Sequence, residues 1–457
     1  MASILSISDD MQRRTRKECG FDQAEADLPN YAKTFKAPSS LLSVKGKASD
    51  ILSYLGSRNP LPRAVAGNDT VWLLDNTAYK NPQTGNWEAE FVSAVFAQQP
   101  SCTVLEAVTS VAKKIGLSEN DPNYPTIEER VLPFIQDIRP GTQVNALQAG
   151  TEALKLGPGG RNGISSDMKP VRKGEEHPQI APTFAQVPKG VNGVLMMKTF
   201  LAEPEGWSVI SDIDDTIKVT MTSDPIGILK STFVDTPQPC PGMPELYKYI
   251  VSLIQETSPF FYLSASPYNL YPFLRDFREK HYPHGTIVLR DSSWMSIPGL
   301  LSSITLGTEQ YKTDRMTKIH EWLPRRKFIC IGGMATPPPT KAHGKAWQLL
   351  ILWHDRFDTG GPGVLRQDVR FPLHFLSSWC GADQLTEMLC SYRKYPGWVK
   401  LILIRKVTDI AALGIESKNE PKRFEKAFKD VPRERWHVFE DAAECRAIIQ
   451  KIVAAES

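Results

Sequence analysis

The sequence predicts an α/β protein in two parts, a β-rich domain over residues 65–202 and, from residue 205, a mostly parallel sheet with helices on both faces. Three observations carry this. Between Asp69 and Phe96, two β-branched and aromatic runs flank the turn "KNPQTGN", a hairpin pattern. After Trp207, short apolar runs alternate with stretches of helical spacing, as in βαβ units. At 457 residues, the chain is too long for one ordinary core.

Residues 1–64 are polar, mixed in charge and weakly periodic, and read as a tail with short helices. In the β-rich part, "TVLEAVTSVAKKIGL" (103–117) predicts one helix, ending at Gly116. The Gly-rich "LGPGGRNGISSD" (156–167) lacks the Gly-Lys-Ser/Thr ending of a phosphate loop and reads as a turn. The second part places strands on "SVISDI", "FFYLSAS" (260–266), "GTIVLRD" (285–291), "KFICIGG" (327–333), "VKLILIRKV" (399–407) and "RWHVFED" (435–441). Helices fall on "MPELYKYIVSLIQET" (243–257), "LYPFLRDFREKH", "TDRMTKIHEWLP" (313–324) and "AAECRAIIQKIVAA". This domain spans 205–333 and 391–455, and residues 334–390 interrupt it.

Composition narrows the function classes. A net charge of +3 is too small for bulk electrostatic binding of nucleic acid. The seven cysteines show no CxxC spacing, which argues against zinc ribbons and disulfide frameworks and for a reducing compartment. Neither a signal peptide nor an apolar run of about 18 residues is present, so the expectation is a cytoplasmic protein, at most peripheral to membranes. The basic clusters "RRTRK" (13–17) and "PRRK" (324–327) read as solvated charge, with anionic headgroups as the alternative.

Chemistry concentrates at the ends of strands. "WSVISDIDDTIK" sets Asp212, Asp214 and Asp215 within four positions after an apolar strand. Carboxylates so close repel, so a cation or a phosphoryl group is expected nearby. Asp212 and Asp214, separated by one residue, can divide a phosphoryl transfer: one attacks phosphorus, while the other protonates the leaving oxygen and then deprotonates water. Mg²⁺ would relieve their repulsion, with Asp212 and Asp214 as its ligands. Ser264, at a second strand end, offers a hydroxyl and an N–H to a phosphate oxygen, and Lys312 opens the following helix as a neutralising charge.

This order resembles the haloacid-dehalogenase-like phosphohydrolases, which implies a Rossmann-like sheet. "DIDDTIK", "PGMPELY", "FFYLSASPYNLYPFLRDF", "GTIVLRDSSW" and "YKTDRMTKIHEWLPRRKFICIG" are similar to the catalytic domain of the fungal actin-patch-associated phosphatidate phosphatases. The resemblance covers about 205–333 and resumes at "YRKYPGWVKLILIRKVTDI" (392–410). "TVWLLDNTAY" and "WEAEFVSAVF" resemble that family's N-terminal region as well. It implies Mg²⁺-dependent hydrolysis of phosphatidate at membrane surfaces to diacylglycerol and phosphate, with actin-patch proteins as partners. Asp212 would be the nucleophile and Asp214 the general acid/base. Thr216 and Ser264 would hold the phosphoryl group, Lys312 would stabilise its charge, and Tyr268, Arg290, Asp291 and Trp294 would line the substrate mouth.

One departure stands out. The family places an acid that helps hold Mg²⁺ directly after the Gly that ends "FICIG"; here that position is Gly333, and no acid follows before Asp355. Three readings compete for 334–390: an insertion whose Asp355 or Asp358 folds back as the ligand, a domain that has lost its metal site, and a segment translated in the wrong frame or from an unspliced intron. The alternative to an enzyme is accordingly a catalytically impaired lipid-binding or cytoskeletal-adaptor protein of the same fold.

Overall fold

The computed structural model describes residues 55–100, 104–118, 121–148, 153–172, 179–222, 224–255, 257–290, 308–333, 397–406, 419–429 and 431–456. The first part is a ten-stranded sheet. Its strands are β1 (Arg63–Ala64), β2 (Asp69–Leu74), β3 (Asn76–Lys80), β4 (Trp87–Ala97), β5 (Thr142–Gln148), β6 (Leu154–Leu156), β7 (Ile164–Pro170), β8 (Ile180–Gln186), β9 (Asn192–Val194) and β10 (Met196–Ala202). They run β1-β5-β8-β10-β3-β4-β2-β9, with β6 on β5 and β7 on β4. The expected hairpin is present, with Ala78 opposite Ala89 and Lys80 opposite Trp87. The first run, however, is two strands that break at Asp75, and the long β4 also pairs with β2.

Among the described residues, two α-helices, rather than the one expected, accompany this sheet: α1 (Val104–Lys114) and α2 (Tyr124–Ile135). The second carries Pro125 in its first turn, where no backbone donor is needed, and Pro133 in its last. Those prolines disguise a helix whose Ile127, Val131 and Phe134 are buried.

The second part has six parallel strands: β11 (Glu205–Asp212), β12 (Phe260–Pro267), β13 (Thr286–Arg290), β14 (Arg325–Gly333), β15 (Val399–Arg405) and β16 (Trp436–Phe439). Their order is β13-β12-β11-β14-β15-β16. Its helices are α3 (Pro225–Phe233), α4 (Met243–Ile254), α5 (Tyr271–His281), α6 (Thr308–Trp322), α7 (Pro421–Ala427) and α8 (Cys445–Glu456). One face of the sheet is covered by Leu246 and Ile250 of α4 with Ile449 of α8, the other by Met316 and Ile319 of α6 with Phe424 of α7. The chain moves outward through β12 and β13, then returns to the other side of β11 as β14. Sheets of this kind open a crevice at the carboxyl end of the strand where the order reverses, which here is the end of β11.

The two parts share a core in which Trp72 and Phe96 of the first sheet cluster with Tyr268, Leu274 and Phe277 of the second part. Asp75, fully buried at the β2–β3 break, is the polar centre of the junction. Its Oδ2 accepts from Arg275 Nε at 3.0 Å and Arg278 at 2.6 Å, both on α5, and its Oδ1 accepts the Lys198 N–H at 2.9 Å. Burial pushes the Asp75 carboxyl upward, but the two guanidiniums and the Lys198 N–H outweigh it and hold the group below its ordinary value. Glu90 of β4 forms the second tie, 2.7 Å from Lys318 of α6, and the Tyr79 ring stacks on Trp322 of the same helix at 5.6 Å.

Two outcomes are expected. Asp75→Ala removes the acceptor on which two guanidiniums converge, and urea unfolding should show a loss of about 3 kcal/mol or more. The Glu90 carboxyl, pushed up by burial but pulled down further by Lys318 and Arg315, lies at about 2 against an ordinary 4.5. Its stabilising contribution is therefore complete above pH 4.5 and is lost as the pH falls through about 2. Glu90→Gln should flatten the stability–pH curve across that interval, as followed by denaturant midpoints.

Candidate active site

Asp212 ends β11 and is 5% exposed. The chain then coils tightly: the carbonyl of Ile213 accepts the N–H groups of Thr216, Ile217 and Lys218 at 3.3, 3.0 and 3.1 Å. Asp215, at φ 55°, sits in the left-handed region that a short polar side chain tolerates. This coil returns Thr216 to Asp212, and its Oγ1 donates to Asp212 Oδ2 at 3.2 Å. Lys312 Nζ donates to Asp212 Oδ1 at 2.8 Å from the second turn of α6, a helix that begins at Thr308 rather than at the lysine. Asp214 turns toward β12. Ser264 and Ser266, two residues apart and so on one face of the strand, donate to its Oδ2 at 2.6 and 3.4 Å. Thr220 Oγ1 donates to its Oδ1 at 2.9 Å.

The third carboxylate answers to a different need. Asp215 Oδ1 accepts the N–H groups of Thr220 and Met221, each at 2.8 Å, and Oδ2 accepts the Thr222 N–H at 2.7 Å and the Thr222 hydroxyl. It builds the 220–222 loop and does not face Asp212. The other two remain close enough to interact: burial chiefly raises the Asp212 carboxyl, the charge of Asp214 adds to that, and the Lys312 ammonium opposes it. Lys218, also buried, is pushed down by desolvation against the pull of Asp214 and Asp215.

Five residues singled out in the sequence thus meet in one cluster: Asp212, Asp214, Thr216, Ser264 and Lys312. Ser264 aims its hydroxyl at Asp214, so it is part of the carboxylate's support. Tyr268 is 1% exposed, donates to the Asn162 carbonyl at 2.6 Å and packs on Phe96, which is core packing between the two sheets. Arg290 ends β13 with its guanidinium 5.7 Å over the Tyr311 ring. Asp291, Trp294, Asp355 and Asp358 lie outside the described residues. Sequence reasoning passed over Lys218, Thr220, Ser266 and Arg405, the last of which ends β15 and donates to the Asp215 carbonyl at 3.0 Å. A lysine between Ile217 and Val219, beside three acids, was the available signal for the first.

Gly333 ends β14 in register with Arg405. A Cβ there would stand 2.7 Å from Thr216 Oγ1 and 3.1 Å from the Asp215 carbonyl oxygen. Among the described residues, no group of three or more His, Cys, Asp or Glu could hold a metal ion, and no helix is long and apolar enough to cross a membrane.

Residues 207–337 match the family described as phosphatidate phosphatase APP1, catalytic domain. Over 132 residues the chain is 31% identical to the phosphatidate phosphatase APP1 of Saccharomyces cerevisiae, a stretch covering 28% of this chain and 22% of the yeast protein. The chain therefore matches less than a quarter of that relative's length. The resemblance read from the motifs is borne out over this segment, which holds every residue of the cluster.

Asp215→Ala should act on the loop first. Removing the acceptor of four hydrogen bonds at a positive φ should cost about 3 kcal/mol in denaturant unfolding, and Asp215→Asn, which tolerates that φ, should cost less.

Proposed function

We propose that this chain, whose residues 207–337 match the phosphatidate phosphatase APP1 catalytic-domain family, is a phosphoric monoester hydrolase that converts phosphatidate to diacylglycerol and phosphate at membrane surfaces. One observation carries the reading. Two carboxylates, Asp212 held by the Lys312 ammonium and the Thr216 hydroxyl and Asp214 by the Ser264, Ser266 and Thr220 hydroxyls, converge at the carboxyl end of β11, where the sheet order reverses. The strand order, with helices on both faces, supports a haloacid-dehalogenase-like reading of the domain.

In this reading a carboxylate oxygen of Asp212 attacks phosphorus, and the bond from phosphorus to the diacylglycerol oxygen breaks. Asp214 gives that oxygen its proton, leaving an aspartyl phosphate on Asp212. Asp214 then takes a proton from water as the water attacks phosphorus, which releases phosphate and restores Asp212. Lys312 meets the charge beside Asp212 throughout, and Thr216 keeps the carboxylate in one rotation.

Mg²⁺ fits the donor set in kind. Asp212 and Asp214 are oxygen donors whose mutual repulsion a divalent cation relieves, and Mg²⁺ accepts water and substrate oxygens in its remaining positions. The Asp212 carboxylate and the Asp214 backbone carbonyl would hold it, and when bound it would neutralise charge on the phosphoryl oxygens. Gly333 contributes no side chain to such a site.

Phosphate release from phosphatidate in mixed micelles, with and without Mg²⁺, tests the proposal. The chain should release phosphate when Mg²⁺ is present, and Asp212→Asn should lower the rate roughly a thousandfold or more. A folded wild-type chain that releases none would overturn it.

A further inference from the structure

Lys218 is a buried charge that the mechanism above leaves unused. It is 2% exposed, and its ammonium donates to the Val219 carbonyl at 3.3 Å and to Thr220 Oγ1 at 3.2 Å. The Phe273 ring of α5 lies 5.5 Å from its nitrogen.

Thr220, itself 3% exposed, is committed at every polar atom. Its N–H donates to Asp215 Oδ1 at 2.8 Å, and its carbonyl accepts from Ser231 Oγ at 2.8 Å. A hydroxyl has one hydrogen, and an ammonium can only donate. Lys218 therefore makes Thr220 Oγ1 an acceptor, and the single hydroxyl hydrogen is left for Asp214 Oδ1 at 2.9 Å. The competing acceptor, the Lys218 carbonyl, is farther away at 3.4 Å. Asp214 is thus held from both sides, with the Ser264 and Ser266 hydroxyls on Oδ2 and the Thr220 hydroxyl on Oδ1.

We propose that Lys218 and Thr220 are positioning residues for Asp214: the ammonium sets the direction of the Thr220 hydroxyl, and the hydroxyl holds the carboxylate in the rotation from which it serves the leaving oxygen and then water. This rests on the role given to Asp214 above. Thr220 acts through Asp214, to which it hydrogen-bonds, and Lys218 acts through Thr220. Their effect belongs in turnover rather than in substrate affinity, because they fix a group that acts as bonds change.

The test uses the full chain as wild type and as Thr220→Val, Thr220→Ser, Lys218→Met and the double variant Lys218→Met/Thr220→Val. Phosphate release is measured from phosphatidate micelles and from p-nitrophenyl phosphate, and each variant's folding is followed by thermal melting. Thr220→Val and Lys218→Met should each lower kcat about ten- to a hundredfold with KM little changed, and Thr220→Ser, which keeps the hydroxyl, should retain most of the rate. The double variant should be no slower than the slower single, since both act through one hydrogen bond. Thr220→Val at the wild-type rate, or single losses that multiply in the double, overturns the proposal alone. A folded wild type silent on both substrates overturns the phosphatase reading and this proposal with it. If Lys218→Met does not fold, the contrast between Thr220→Val and Thr220→Ser decides.

Discussion

Crowding of carboxylates at the end of β11 is the constraint around which the second part is arranged. Three acids within four positions are stable only if each has its own donors, because their mutual repulsion is least screened where water is excluded. The structure divides them by direction. Asp212 looks to α6 and Thr216, Asp214 to β12 and the 220 loop, and Asp215 to the backbone of that loop. Each direction recruits a different element, so the geometry of the coil after β11 fixes where β12, α6 and the loop must lie.

The first sheet supports that arrangement from a distance. Lys312 reaches Asp212 from α6, and the same helix is tied to β4 by Lys318 and Glu90 and to β3 by Trp322 and Tyr79. At 1.5 Å per residue, Lys318 lies about 9 Å along the helix from Lys312, so a rigid helix passes the constraint directly to the site. Asp75 does the same for α5, whose Phe273 lies against Lys218. A break in a strand that hydropathy alone reads as continuous is therefore one of the ties between the two parts, through a carboxylate whose guanidinium partners are about 200 residues away in sequence.

How much of this was legible follows from the reach of each signal. The six strands of the second part show as apolar runs, and Asp212, Asp214, Thr216, Ser264 and Lys312 show as chemistry at their ends. Their meeting could be read because a parallel sheet brings strand ends together wherever the connections wander. Helix α3 carried a readable start, Asp224 capping two N–H groups ahead of Pro225, but is too short for periodicity to declare itself. Tyr268 looked like a mouth residue from its place after a strand, whereas its ring is drawn inward by Trp72 and Phe96, partners that only the packing of two sheets supplies. Thr220 carried no signal at all. An isolated threonine in a loop gains its meaning from Lys218, Asp215 and Ser231 together, and no spacing rule joins those three.

Gly333 shows how closely one position can bind sequence, geometry and chemistry. Its Cα approaches the 215–216 turn so nearly that any side chain would meet Thr216 Oγ1 or the Asp215 carbonyl. Both belong to the coil that aims Asp212, and the same carbonyl accepts the Arg405 guanidinium from the neighbouring strand. A side chain at 333 would therefore force a shift at this turn, and the Thr216 hydroxyl that holds Asp212 would be the first contact disturbed. Glycine at 333 lets the turn occupy the space that a side chain would have filled. Around the two aspartates, among the described residues, Lys312 stands on Asp212, Lys218 behind Thr220 and Arg405 on the turn itself, beside the Thr216, Ser264, Ser266 and Thr220 hydroxyls. These side chains, built into the fold, set much of the electrostatics around the two aspartates.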